Sequence, residues 1–264
     1  MKKYFVIGNP IDHSLSPKLH NNWLKKNNIN ATYDKIKLEE QEIKNFIEDI
    51  KQQKIAGCNV TVPFKKAVIP FLDKLSPESE ATQSVNTIIF DNNVLVGHNT
   101  DIAGFNNAIK KLNFNLKSKK IFILGAGGVV PSLIFALKNM NVSEIIISNR
   151  TIEKAENLKI LFNELKVLKW GNVPDFDMVI NATSLGLNKE VINLDFSNSG
   201  RDNLFYDVIY NPSETNFLKK GKELGNKVEN GKTMFIYQAL EAFKLWHNLE
   251  PEINKDTLKL LEND

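Results

Sequence analysis

Residues Lys119–Thr151 read KKIFILGAGGVVPSLIFALKNMNVSEIIISNRT. The apolar run Ile121–Leu124 predicts a short strand buried on both faces, as in a parallel sheet. Gly125-Ala126-Gly127-Gly128 follows at once, where a tight turn favours residues without a Cβ. Val130, Leu133, Ile134 and Leu137 then fall at i, i+3, i+4 and i+7, one apolar stripe of a helix. Glu144–Ser148 supplies a second strand. Strand, glycine turn, helix and strand within about thirty residues form the βαβ unit that sets a dinucleotide pyrophosphate on a helix N-terminus.

The flanking strand and helix are what give the glycine string meaning; alone it is equally a turn without a ligand. The third glycine of the G-x-G-x-x-G pattern would fall at Val130, followed by Pro131. Proline is tolerated in a first helical turn, where its missing N–H has no intrahelical partner, and Val130 implies slightly looser helix–strand packing. At the end of the second strand an NAD site carries an acidic residue for the ribose 2′-hydroxyl. This chain has Ser148-Asn149-Arg150-Thr151 instead, with Lys154 one turn later. A guanidinium and an ammonium with no competing carboxylate suit a 2′-phosphate, so the expected cofactor is NADP(H). The plainer reading is a solvated arginine beside a helix N-cap at Thr151.

The 264 residues are enough for one large or two modest domains, and 25% charged residues are ordinary for a globular protein. A net charge of +3 with scattered lysines argues against a nucleic-acid partner. The single cysteine, Cys58, excludes an internal disulfide and suits a reducing compartment. The run Tyr4–Ile7 is too short for a signal-peptide core, and no apolar stretch approaches a membrane span. The expected location is cytoplasmic, with no membrane partner, and no metal-ligand spacing is present.

Outward from the central stretch, Tyr4–Ile7 predicts a buried strand ending at Gly8. The loop Gly8–Pro17 follows, and a helix begins at Pro17 with Ser16 as its N-cap. Ile43, Phe46, Ile47 and Ile50 mark a second helix, and Ile55–Val60 a strand. After a short helix at Pro77–Thr82, Val85–Phe90 and Val94–Gly97 pair around Asp91-Asn92-Asn93. Asn99-Thr100-Asp101 opens a helix striped by Phe105, Ala108, Ile109 and Leu112. Beyond Thr151 come a helix with Ala155, Leu158 and Phe162, strands at Met178–Asn181, Leu204–Val208 and Lys227–Glu229, and a helix Met234–Asn248. The alternation predicts an α/β fold in both halves, with a boundary near residue 101.

Two polar constellations precede the central stretch, each at a strand-to-helix junction, where open α/β sheets bind ligands. The first is Asn59, Thr61 and Lys65, with Lys65-Lys66 opening a short helix, the end disfavoured for a cation. Lys65 read alone fits equally an exposed lysine lying along a loop. The second is Asn86-Thr87 with Asn99-Thr100-Asp101, where Asp101 read alone fits a plain N-cap.

Together these segments resemble the shikimate dehydrogenase family over nearly the whole chain. Gly8-Asn9-Pro10-Ile11…His13-Ser14-Leu15-Ser16-Pro17…His20-Asn21 is similar to the family's N-terminal shikimate-binding loop. Asn59-Val60-Thr61-Val62-Pro63-Phe64-Lys65 resembles its lysine-bearing motif, and Val85-Asn86-Thr87 and Asn99-Thr100-Asp101 its remaining pocket segments. Gly125–Gly128, Asn149-Arg150-Thr151, Asn181-Ala182-Thr183-Ser184, Tyr206-Asp207…Tyr210 and Gln238-Ala239 continue the match in family order.

The resemblance implies an N-terminal α/β substrate domain, residues 1–101 completed by residues 238–264, and a Rossmann-like NADP-binding domain, residues 102–237. It puts the active site in the cleft between them. It implies NADPH-dependent, reversible reduction of 3-dehydroshikimate to shikimate in aromatic amino acid biosynthesis, by a monomer or homodimer. Carried over by position, Ser14, Ser16 and Tyr210 hold the substrate carboxylate, and Asn59, Thr61, Asn86, Asp101 and Gln238 its hydroxyls. Lys65 and Asp101 form the catalytic pair. Gly125, Ala126, Gly127, Gly128 and Val129 cradle the pyrophosphate. Asn149, Arg150, Thr151 and Lys154 take the 2′-phosphate end, and Val208 and Gly231 the nicotinamide end. Lys154 stands where the family commonly has arginine, and Gly231-Lys232-Thr233 replaces a more glycine-rich turn. Reducing a ketone builds negative charge on its oxygen, which needs a proton or cation beside it. The rival expectations are a quinate/shikimate dehydrogenase with broader substrate or NAD use, and a non-catalytic nicotinamide-binding regulator on the same fold.

Overall fold

The computed structural model describes residues 1–262. The chain divides into two compact units, Met1–Ala103 with Tyr237–Asp264, and Gly104–Ile236. No helix among the described residues is long and apolar enough to cross a membrane.

The first unit runs β1 (Lys2–Gly8), α1 (Ser16–Lys26), β2 (Ala31–Lys37), α2 (Ile43–Lys51), β3 (Gly57–Val60), β4 (Lys74–Leu75), α3 (Pro77–Thr82), β5 (Thr87–Asp91) and β6 (Val94–His98). Its sheet has the order β2-β1-β3-β5-β6-β4. β1 pairs in parallel with β2 and β3, whereas β5 is antiparallel to both β3 and β6. The stripe Ile43, Phe46, Ile47 and Ile50 of α2 packs with Ile7, Cys58, Val60, Ile88 and Leu95 in one buried cluster. A fully buried isoleucine of this kind contributes about 1.5–3 kcal/mol by leaving water.

A second set of side chains in this unit is aromatic. His20 and Trp23 of α1, Tyr4 of β1 and Tyr33 of β2 meet Phe243 and Trp246 of α8 (Lys232–His247). Trp246 Nε1 donates to the strand carbonyl of Ile88 at 3.1 Å. A Cβ on Gly57 would stand 2.5 Å from that nitrogen, so the indole can dock only against a glycine.

The second unit takes in most of α4 (Asp101–Leu112) and continues with β7 (Lys120–Leu124), α5 (Val130–Asn139), β8 (Glu144–Asn149), α6 (Ile152–Asn157), β9 (Lys166–Lys169), β10 (Met178–Asn181), β11 (Leu204–Asp207), α7 (Asn216–Glu223) and β12 (Lys227–Glu229). The sheet order is β12-β11-β10-β7-β8-β9, with every pairing parallel. Burial on both faces explains why Ile121–Leu124 is unbroken apolar sequence: all four residues are fully buried. Because β7 lies between β8 and β10, the order reverses at its C-terminal end, the switch point where such sheets bind ligands. Phe122, Phe176, Phe196, Phe205 and Phe217 form the heart of this unit's core.

Several local expectations are corrected. Ser16 is the first residue of α1 rather than its cap; Leu15 takes the cap position in a helical conformation, with no side-chain cap bond. Lys65-Lys66 does not open a helix but sits in consecutive turns, held by Phe64 N–H to Thr61 O and Val68 N–H to Phe64 O. The dipole argument for Lys65 therefore lapses; its burial replaces it. Val130 is fully buried and its backbone N–H donates to Gly127 O, so the valine packs where looser contact was expected. Strands β2, β4 and β9 and helix α7 lay outside the sequence reading, and α9 (Lys255–Leu260) is a further short helix.

Candidate active site

Register brings the first unit's polar residues to one sheet edge. Asn59, near the end of β3, pairs with Thr87 at the start of β5, and Thr87 pairs with His98 at the end of β6. The loops after β1, β3 and β6 thus leave the same edge that Asn86 enters from. Lys65 and Asp101, far apart in sequence, meet there at 2.5 Å between Nζ and Oδ2, with their side chains only 11% and 9% exposed. Such a pair is no stability device, since desolvating two charges offsets most of their attraction. It holds an ammonium and a carboxylate in fixed register.

Asp101, the first residue of α4, has its other oxygen engaged too: Asn86 Nδ2 donates to Oδ1 at 2.9 Å. Asn86 also donates to Thr100 Oγ1 at 3.0 Å, and its own oxygen accepts the Thr100 N–H at 2.8 Å. It binds the start of α4 to the sheet edge. Asn59 donates to Asn86 O at 3.1 Å and Thr87 Oγ1 at 2.9 Å, and accepts from the Tyr33 hydroxyl at 2.6 Å. Tyr33, 3% exposed, is the member of this network that the sequence reading did not single out; Thr87 and Thr100, quoted there beside Asn86 and Asp101 but given no role, are 0% and 4% exposed.

Thr61 is half-buried, and its N–H donates to Ile7 O at 2.9 Å. Its methyl lies 2.6 Å from where a Cβ on Gly8 would stand, so that glycine lets the loop after β1 press on the loop after β3. Asn9 N–H to Val62 O, at 3.0 Å, ties the two loops. In the first loop Ser14 is half-buried and Ser16 buried, and the Ser16 N–H reaches Ser14 Oγ at 3.4 Å. Gln238 belongs to this unit and is half-buried on α8.

In the second unit the glycine turn sits at the switch point. Gly125 has φ +105°, and a Cβ there would lie 2.8 Å from Ala182 O, so only glycine fits. Gly127 is different: its Cβ would meet nothing nearer than that oxygen at 3.9 Å. The fold does not require glycine there, whereas close approach of a phosphate to the backbone does. Gly127 and Gly128 are exposed, Ala126 and Val129 half-buried, and α5 begins just beyond with Pro131 in its first turn. These residues fit a dinucleotide pyrophosphate.

At the end of β8, Asn149 Nδ2 donates to Thr151 O at 2.7 Å, fixing the turn that carries Arg150. Thr151 takes the cap position of α6, without the side-chain bond expected of an N-cap. Arg150 and Lys154 are exposed, and neither forms an ion pair among the described residues. A pair of uncommitted cations fits a 2′-phosphate.

Further along the same sheet, Asp207 is fully buried, and burial pushes its carboxyl up to about 6. It accepts from Thr215 Oγ1 at 2.6 Å, Ile209 N–H at 3.0 Å and Asn181 Nδ2 at 3.1 Å, and so joins the loops after β10 and β11. Val208 follows it, and its carbonyl oxygen lies 2.1 Å from where a Cβ on Gly231 would stand. Gly231 therefore admits a backbone contact that no other residue allows. Tyr210 belongs to this unit, its ring stacked on Phe235 at 4.5 Å.

Comparison with known proteins agrees with this arrangement. Residues 6–88 match the family model described as shikimate dehydrogenase substrate binding domain, and residues 106–199 that of shikimate / quinate 5-dehydrogenase. The shikimate dehydrogenase (NADP(+)) of Pelagibacter ubique is 56% identical over 264 residues, covering 99% of this chain and 100% of that one. Among solved structures, shikimate dehydrogenase from Aquifex aeolicus superposes with a TM-score of 0.89 at 34% identity, covering 100% and 98% of the two chains. The shikimate 5-dehydrogenase of Thermus thermophilus, in complex with NADP(H) and shikimate, gives 0.89 at 30% identity, covering 99% and 98%.

Proposed function

The chain belongs to the shikimate dehydrogenase family, and from that premise we propose that it catalyses the reversible NADPH-dependent reduction of 3-dehydroshikimate to shikimate, on the route to the aromatic amino acids. The observation that carries the reading is the buried Lys65–Asp101 pair at the edge where Asn59, Asn86 and Thr100 converge. When bound, NADPH supplies the reducing equivalent. The chain's own residues do the rest. Lys65 has three N–H donors, one of which Asp101 engages and thereby aims the others. At the carbonyl oxygen of the substrate it holds developing negative charge and delivers the proton; in reverse it withdraws the proton from the hydroxyl. Asp101 keeps the ammonium in place, and Asn86 keeps Asp101 in place.

In this proposal the unit Met1–Ala103 with Tyr237–Asp264 binds the substrate, and Gly104–Ile236 binds NADP(H). Ser14 and Ser16 take the carboxylate; Asn59, Thr61 and Gln238 take hydroxyls. Gly125–Val129 take the pyrophosphate, Asn149, Arg150, Thr151 and Lys154 the 2′-phosphate, and Val208 with Gly231 the nicotinamide end. Both sets belong to one chain, so a monomer or a homodimer carries each in full. The single thiol, Cys58, buried and unpaired, suits the cytoplasm.

The test is the loss of NADPH absorbance on adding 3-dehydroshikimate. The unmodified protein is expected to turn over, with quinate a poor substrate in the reverse direction. Lys65→Met keeps the apolar stem, and should lower kcat by at least about a hundredfold while leaving NADPH binding intact. Absence of turnover by the unmodified protein would sink the reading. A near-normal kcat in Lys65→Met would move the catalytic role to another residue.

A further inference from the structure

Asn59 is held by three partners that together leave it one orientation. Its two amide hydrogens go to acceptors, the Asn86 carbonyl at 3.1 Å and Thr87 Oγ1 at 2.9 Å. Its oxygen receives the Tyr33 hydroxyl at 2.6 Å, from a strand two places away in the sheet. An amide oxygen has two lone pairs and its nitrogen two hydrogens, so this leaves one lone pair and no hydrogen.

Tyr33 is itself fixed with care. Its ring lies parallel to His20 at 4.2 Å between centroids and 3° between planes, and it is 3% exposed. Its backbone is clasped on both sides by one residue of α1: Asn21 Nδ2 donates to Tyr33 O at 2.7 Å, and Tyr33 N–H donates to Asn21 Oδ1 at 3.0 Å. Because Tyr33 is buried, its backbone N–H and C=O need partners, and taking both from Asn21 fixes where the ring and its hydroxyl stand.

We propose that Tyr33 is a positioning residue for the substrate pocket: its hydroxyl locks the Asn59 carboxamide with both hydrogens turned inward, so that Asn59 meets a substrate hydroxyl only as an acceptor. This deepens the shikimate reading and rests on it for the identity of that hydroxyl. The pocket then takes a group that donates at this point and rejects one that can only accept, such as a ketone or methyl ether in the same position. Discrimination of this kind follows from the buried acceptor that a wrong ligand leaves without a donor.

Tyr33→Phe deletes one oxygen and keeps the ring on His20 and the Asn21 clasp. With one hydrogen bond lost at the pocket, KM for shikimate should rise about five- to tenfold, with kcat within about twofold and KM for NADP unchanged. Placed on Asn59→Ala, Tyr33→Phe should add less than about twofold, since it acts through a side chain already removed. A second readout needs no turnover. The Asn59 carboxamide hydrogens, identified in the NMR spectrum by their absence in Asn59→Ala, should exchange with solvent at least about tenfold faster in Tyr33→Phe. Unchanged exchange, or an equal rise of KM in the Asn59→Ala background, overturns the proposal. Slow exchange that Tyr33→Phe releases, in a protein without shikimate turnover, would uphold the lock and count against the substrate instead.

Discussion

Arg150 stands exposed on a turn whose shape Asn149 fixes, with Lys154 on the helix that follows and no carboxylate paired to either among the described residues. A charge-assisted bond to a phosphate is worth about 1.5–3 kcal/mol, or about ten- to a hundredfold in affinity. Arg150→Ala should weaken NADPH by that factor and leave NADH nearly unchanged, measured as the two dissociation constants. Equal use of both cofactors by the unmodified protein would remove the basis for the assignment. At this scale the sequence is an uneven guide. The missing carboxylate after Ser148 is plain in it, because the cofactor signal is local and spans few residues. Lys65 and Asp101 are ambiguous in it, each with a blander local role, because their meaning is a contact across 36 positions. Tyr33 is silent in it, since nothing in Thr32-Tyr33-Asp34 announces that a hydroxyl reaches Asn59 on a different strand.

Helix α8 docks on the first unit's sheet through one indole and one missing methyl group. A Cβ on Gly57 would lie 2.5 Å from Trp246 Nε1 and 2.9 Å from Ile88 O, the acceptor of that indole. Gly57→Ala must push the ring off its carbonyl, combining overpacking with a lost buried bond, so about 2–4 kcal/mol of stability should go. The urea midpoint would report it, and Trp246→Phe in the same chain should recover part of the loss by shrinking the ring. Stability equal to that of the unmodified protein would show that the helix docks by other means. Elements with a clear apolar pattern were legible: β7 and β8 as continuous runs, α5 and α2 as helical stripes. Those that were missed lack one. β2 and β9 are edge strands, ATYDKIK and KVLK, whose lysines and aspartate face solvent where a central strand would be apolar. α7 is short, lysine-rich and carries Gly221, which reads as a breaker. Its glycine answers a tertiary demand instead, since a Cβ there would meet the Phe205 ring at 2.7 Å.

For the molecule as a whole, buried titratable groups set how stability follows pH. Burial lowers His20 to about 3 and His247 to about 4, and lowers His98 as well. An unfolded histidine titrates near about 6.5, so the stability these groups confer is complete above that pH and is lost as the pH falls. Asp207, raised by burial to about 6, acts in the opposite sense: its contribution is present below the ordinary carboxylate range and is lost as pH rises. Between about pH 6.5 and 4.5 the unfolded chain therefore comes to carry two or three protons on these histidines that the native chain lacks, against about one that Asp207 binds only in the native chain. Stability should fall by roughly 1–3 kcal/mol per pH unit on acidification. Urea midpoints taken at about pH 7 and about pH 5 would check the sign, and a midpoint that held or rose at the lower pH would refute it. The division of the chain carries one more consequence, in time rather than in energy. A ribosome makes Met1–Ala103 first and Tyr237–His247 only after all of Gly104–Ile236. Until Phe243 and Trp246 emerge, His20, Trp23 and Tyr33 have no cover from α8, while every strand of the second sheet already exists. The half of the protein that is born first is the half that must wait to be finished.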